Sequence, residues 1–65
     1  VYAGVVSKIS SAVIDGNTNY YIMLEGNDRI FVVKASMNDK LPFLSVGGRV
    51  AITEVNGEYK HVNIS

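Results

Sequence analysis

Leu41-Pro42-Phe43-Leu44-Ser45-Val46-Gly47-Gly48-Arg49-Val50-Ala51-Ile52 is the stretch that decides how this chain folds. An apolar run suited to a strand, Ile30-Phe31-Val32-Val33, comes before it, and another opens at Val50. Between them Leu41 and Leu44 stand three residues apart, the spacing that puts two side chains on one face of a helical turn. The double glycine that follows lets the chain reverse cheaply into the next strand. The stretch reads as a short apolar plug that closes one end of a small β-structure, between its third and fourth strands.

Working outward, β-branched and aromatic residues recur in runs separated by Gly, Asn and Asp, and helical periodicity is nearly absent. Val1 to Ile14 predicts a long first strand, bent or bulged at Gly4 or at Ser10-Ser11. Asp15-Gly16-Asn17-Thr18 predicts a turn, Asn19 to Glu25 a second strand, Gly26-Asn27-Asp28 a second turn, and Arg29 to Ala35 a third strand. Arg49 to Val55 and Glu58 to Ile64 complete the set around Asn56-Gly57.

Register follows from requiring one consistent buried face, because a one-residue slip sends every side chain to the wrong side. A three-residue loop at the second hairpin pairs Glu25 with Arg29, Leu24 with Ile30 and Ile22 with Val32. A first hairpin closed around Gly16-Asn17 sets Ile9 opposite Leu24. The inner set is then Ile9, Val13, Tyr20, Ile22, Leu24, Ile30 and Val32. The outer set is Lys8, Ser10, Ala12, Tyr21, Met23, Glu25, Arg29, Phe31 and Val33. At the last hairpin a three-residue loop, Asn56-Gly57-Glu58, pairs Ile52 with Val62 and Val50 with Ile64. The two-residue turn that Asn-Gly usually forms would pair Ile52 with His61, so burial is expected to prevail over the dipeptide preference.

In the connection between the third and fourth strands, Ser36-Met37-Asn38-Asp39 has the spacing of a capping box. Pro42 lies too deep for a helix begun at Ser36 and fits the start of a second turn instead. One or two short helical turns are expected, and no full helix.

Five strands, a plug before the fourth, and Leu41, Leu44, Gly47, Val50 and Ile52 in a Leu-x-x-Leu-x-x-Gly-x-x-Val-x-Ile pattern together resemble the OB-fold. The resemblance spans essentially the whole chain, with Gly48 standing where an acidic residue is common. It implies an all-β, five-stranded antiparallel Greek-key barrel whose ligand face lies on strands two and three.

The bulk numbers bound the function. Sixty-five residues make one domain, expected to be cut from a longer protein because the chain begins at Val1. Six basic residues balance six acidic ones, so a nucleic-acid site would need local clustering of cations. There is no cysteine, and no apolar run approaches the roughly 20 residues of a membrane-spanning helix. His61 is the only histidine and is expected to point outward beside Thr53. Asp15 and Asp28 read as turn formers, and Glu25 and Glu54 as cross-strand partners of Arg29 and Lys60. No serine has a base at a recognisable spacing, and no phosphate loop is present. The chain reads as a non-enzymatic binding module with no cofactor and no metal.

Tyr21, Met23, Phe31 and Val33 form an apolar outer patch with Arg29, Lys8 and Lys34 around it. One reading is single-stranded nucleic acid, with Tyr21 and Phe31 stacking on bases and Lys8, Arg29 and Lys34 meeting phosphates. The other is a protein-interaction module, using the patch against a partner or a second copy.

Overall fold

A computed structural model describes all 65 residues. It contains five antiparallel strands and no α-helix: β1 (Tyr2–Ile14), β2 (Asn17–Leu24), β3 (Phe31–Lys34), β4 (Arg49–Val55) and β5 (Glu58–Ile64). The sheet runs β3-β2-β1-β4-β5, so β1 to β4 spatially read 4-1-2-3, the Greek-key arrangement. The architecture is compatible with a small barrel, but the sheet is not closed, because β3 and β5 share no ladder.

β1 serves both halves of the sheet. Tyr2–Val5 pair with β4, and Val6–Ile14 pair with β2. At the changeover the Val6 N–H donates to the Gly48 carbonyl at 2.8 Å, and the Gly47 N–H donates to the Val6 carbonyl at 2.9 Å. Gly47 makes this approach with φ at +92°, which a side chain would oppose. Gly48 is tight for a different reason: a Cβ there would lie 3.1 Å from both Leu44 Cδ1 and the Ser45 carbonyl. Any side chain there would require these neighbours to give by a few tenths of an ångström.

The bulge of β1 falls at Ser7, between Val6 and Lys8, and not at Gly4 or Ser10-Ser11. One extra residue inverts the alternation. Val6 and Ile9 therefore both turn inward, and Lys8, Ser10 and Ala12 turn outward. Gly4 pairs in register with Val50, and Leu24 packs 3.7 Å from where its Cβ would be.

The first hairpin closes on Asp15 and Gly16, at φ +51° and +79°, with Ile14 opposite Asn17. Ile9 meets Ile22 instead of Leu24, a two-residue shift that leaves the faces as expected. Val13 is an exception. It lies beyond the core on a projecting arm and is 71% exposed.

The third strand differs by one residue, and that inverts it. Ile22 pairs with Phe31, not Val32, so Phe31 and Val33 are buried while Ile30 (54%) and Val32 (42%) are exposed. The cause lies in the connection. Gly26 takes φ +77°, the Asn27 N–H donates to the Leu24 carbonyl, and the Asn27 side chain accepts the Arg29 N–H at 2.9 Å. This loop holds Arg29 and Ile30 out of the ladder, where a three-residue loop would have paired them. Phe31 then fills the interior against Tyr2 and Tyr59, with ring centroids 5.1 and 6.1 Å away.

At the last hairpin both preferences are met. Val50 pairs with Ile64 and Ile52 with Val62, as burial requires. Yet the turn is the two-residue one, Asn56-Gly57 at φ +52° and +82°, with Val55 opposite Glu58. A bulge between Thr53 and Glu54, with Lys60 as the extra residue, reconciles them. His61 is exposed opposite Thr53, as expected.

The plug consists of two single 3-10 turns, Ala35–Met37 and Leu41–Phe43. Leu41 and Leu44 seal the core, while Phe43 points away and is 84% exposed. The expected capping box does not form; the first turn has no side-chain cap. Asn38 does the bracing. Its Oδ1 accepts the Lys40 N–H at 2.8 Å, and its Nδ2 donates to the Val62 carbonyl at 2.8 Å. Val6, Ile22, Leu24, Phe31, Val33, Val50, Ile52 and Val62 complete the core.

Candidate functional site

The outer face of β1, β2 and β3 forms a grid set by the ladders. Lys8 pairs with Met23, and Ile30 flanks Met23 from the loop. Ser10 pairs with Tyr21, which pairs with Val32. Ala12 pairs with Asn19, which pairs with Lys34. Small residues on β1 leave the Tyr21 ring open from that side. Lys8, Ser10, Tyr21, Met23 and Ile30 line a shallow open hollow. The face carries two cations, Lys8 and Lys34, at opposite corners, and no carboxylate among these positions. Neither lysine is ion-paired, since the chain's two salt bridges are Arg29–Glu54 and Lys60–Glu58.

Four of the six expected site residues, Lys8, Tyr21, Met23 and Lys34, therefore share the outer face. Phe31 does not, because the one-residue slip turns its ring into the core. Arg29 does not join them either. Ile30 and Val32, expected in the interior, take their places.

Arg29 instead reaches across the open side of the sheet. Its guanidinium donates to the Tyr2 hydroxyl at 2.9 Å, to the Tyr59 hydroxyl at 3.2 Å and to the Glu54 carboxylate. The same group sits 4.8 Å from the Tyr2 ring centroid, 5.0 Å from Phe31 and 5.8 Å from Tyr59. Hydrogen bonds to Glu54, then to Tyr59, raise its pKa above an already high value, so the cation is permanent. The expected pairs Glu25–Arg29 and Glu54–Lys60 are replaced by Arg29–Glu54 and Lys60–Glu58. The arrangement ties β3's approach loop to β1, β4 and β5 where no backbone ladder does. It acts as a strut, with three of its five N–H donors spent on the chain's own groups. Tyr2 and Tyr59 lie 27 and 30 residues from Arg29, separations that no local sequence pattern reports.

No group of three or more His, Cys, Asp or Glu residues is placed to hold a metal ion, and no helix is long and apolar enough to cross a membrane. Comparison with protein families, with curated proteins and with solved structures finds no match. What fold and face define is a class: a small all-β domain of five antiparallel strands with an open, cation-cornered outer face.

Proposed function

We propose that this chain is a non-enzymatic binding module for single-stranded nucleic acid, working through the outer face of β1–β3. The observation that carries the reading is Tyr21. Its partly buried ring lies on a face with an unpaired lysine at each of two opposite corners and no carboxylate between them. A ring on an apolar floor of Met23, Ile30 and Val32 offers a base a stacking platform, worth about 1–3 kcal/mol. Lys8 and Lys34 lie two strands and two rows apart, roughly 16 Å between backbones from sheet spacings of about 4.8 Å and 3.3 Å. That span suits a few nucleotides with phosphates at both ends. The strand order supports the OB-fold resemblance, which places its ligand on the same strands.

One ring and two lysines make a weak, sequence-tolerant site, with other domains or copies adding affinity. The experiment is titration of a fluorescent oligothymidine at several salt concentrations. Two phosphate contacts on a single strand give a log–log slope near about −1.4. Tyr21→Ala abolishes binding, and Lys8→Ala or Lys34→Ala flattens the slope. No binding at low salt refutes the reading.

A second reading has its own observation. The slip of β3 exposes Ile30 and Val32 beside Met23, giving the face more aliphatic than aromatic surface. That favours a protein partner. Affinity for a protein that survives high salt, without oligonucleotide binding, would establish this reading instead.

A further inference from the structure

β1 is longer than the strands that flank it. β4 covers only Tyr2–Val5, and the glycines before β4 cover Val6. From the Ser7 bulge to Ile14, β1 has β2 on one side and no strand on the other. Which backbone groups face that open side follows from the hairpin. A two-residue turn makes its closing pair, Ile14 and Asn17, a hydrogen-bonded pair. Alternation then commits Ala12, Ser10 and Lys8 to β2 and turns the N–H and C=O of Ile9, Ser11 and Val13 to the open edge.

Strands that end a sheet are ordinarily guarded by charges, proline, bulges or brevity. This edge has Lys8 beside the bulge and then Ile9-Ser10-Ser11-Ala12-Val13-Ile14, with no charge and no proline. Every residue from Ser10 to Ile14 is exposed.

We propose that this edge is a dimer interface, where β1 of a second copy pairs antiparallel with β1 across a two-fold axis at Ser11. The proposal is independent of the ligand reading, because it uses the edge of the sheet and not its outer face.

What points to a second copy is the side-chain complementarity that the symmetric register produces along an uncharged edge. Antiparallel pairing about a two-fold requires an outward-facing residue to meet an outward-facing residue. The set Ile9, Ser11, Val13 is symmetric about Ser11, and only one register satisfies all three. Ile9 meets the second copy's Val13, Ser11 meets its own copy, and Val13 meets the second copy's Ile9. Each pair exchanges both of its bonds. The side chains agree with the backbone. On the core-facing side, Ile9 and Val13 make an apolar cross-strand pair twice over, covering the 71% exposed Val13. On the other side Ser10 meets Ala12, two small residues, and Lys8 meets Ile14, so no like charges oppose. The two outer faces then lie on the same side of one sheet, β3-β2-β1 of one copy continuing into β1-β2-β3 of the other. Two Tyr21 rings come onto a single surface.

Two measurements test this. The first is sedimentation equilibrium of the whole chain and of Ser11→Pro over a wide concentration range. Proline removes an N–H that β2 does not use, so the intrachain ladder is kept, and circular dichroism checks the fold. The native chain is expected to reach the dimer mass as concentration rises, and Ser11→Pro to remain monomeric. The second needs no disruptive change. The chain has no cysteine, so Ser11→Cys introduces a single thiol. Residues opposite one another in a hydrogen-bonded antiparallel pair have Cα atoms about 5.5 Å apart, within the span a disulfide accepts. Ser11→Cys is expected to oxidise to a covalent dimer many times faster than Ser65→Cys at the exposed C-terminus. A native chain that stays monomeric at all concentrations overturns the proposal. So does a dimer that persists in a folded Ser11→Pro variant, or equal cross-linking of the two thiols.

Discussion

Replacing Phe31 with Ala, set against Val32→Ala, tests the feature on which the site depends. Phe31 is fully buried, touched by the Tyr2 and Tyr59 rings, and lies 5.0 Å beneath the Arg29 guanidinium. Truncating a buried Phe typically costs about 3–5 kcal/mol. At roughly 0.05–0.15 kcal/mol per residue, a domain of this length has a total stability of about 3–10 kcal/mol. Phe31→Ala therefore removes a large part of the stability, and with a shift of about 4–8 °C per kcal/mol its melting point falls by at least about 12 °C. Val32 is 42% exposed on the other face, and its truncation should cost under about 1 kcal/mol. Urea denaturation followed by circular dichroism measures both. If Val32→Ala proves the more damaging of the two, the register of β3 is wrong and the ligand face must be redrawn.

Three further expectations follow from the same geometry. Ile52→Ala, at a fully buried position on β4, should cost about 2–5 kcal/mol in the same denaturation assay. Gly47→Ala forces a side chain into φ +92° and should cost about 1–2 kcal/mol, whereas a D-alanine placed there by synthesis should cost little. Tyr21→Ala should leave the melting point nearly unchanged while removing oligothymidine binding, because the ring packs on the outer face and not in the core.

Much of the architecture was legible because burial patterns are strict. Strand number and order of appearance, the plug sealed by Leu41 and Leu44, and the core pairs Val50–Ile64 and Ile52–Val62 all follow from where apolar residues must go. The face of β3 was not legible, since Ile30-Phe31-Val32-Val33 is apolar at every position and carries no alternation. Its phase depends on a connection whose length is set by Gly26 and Asn27. The bulge of β1, expected at Gly4 or Ser10-Ser11, lies at Ser7, where composition carries no mark of it, although the faces of Ile9, Lys8, Ser10 and Ala12 are as expected. Tyr21 and Met23 lie on the expected face because β2 alternates cleanly from Tyr20 to Leu24, and Lys8 shares that face by pairing with Met23. Arg29 was misplaced along with β3, and its partners Tyr2, Glu54 and Tyr59 lie at sequence distances no local pattern reports.

The division of β1 between two neighbours also has a kinetic meaning. β1, β2 and β3 form a meander whose turns are short, and β4 with β5 form a hairpin whose turn is two residues long. Each can assemble from nearby residues at little loop-closure cost. Joining them requires Tyr2–Val5 to find Arg49–Ile52, partners at opposite ends of the chain, after both have formed. The long sequence separation predicts that this docking comes late in folding and is lost early in unfolding. Destabilising substitutions at Tyr2 or Ala51 should therefore speed unfolding and leave the folding arm of a chevron nearly unmoved, while those at the Asp15-Gly16 turn slow folding. On this account the few N-terminal residues should govern the lifetime of the native state.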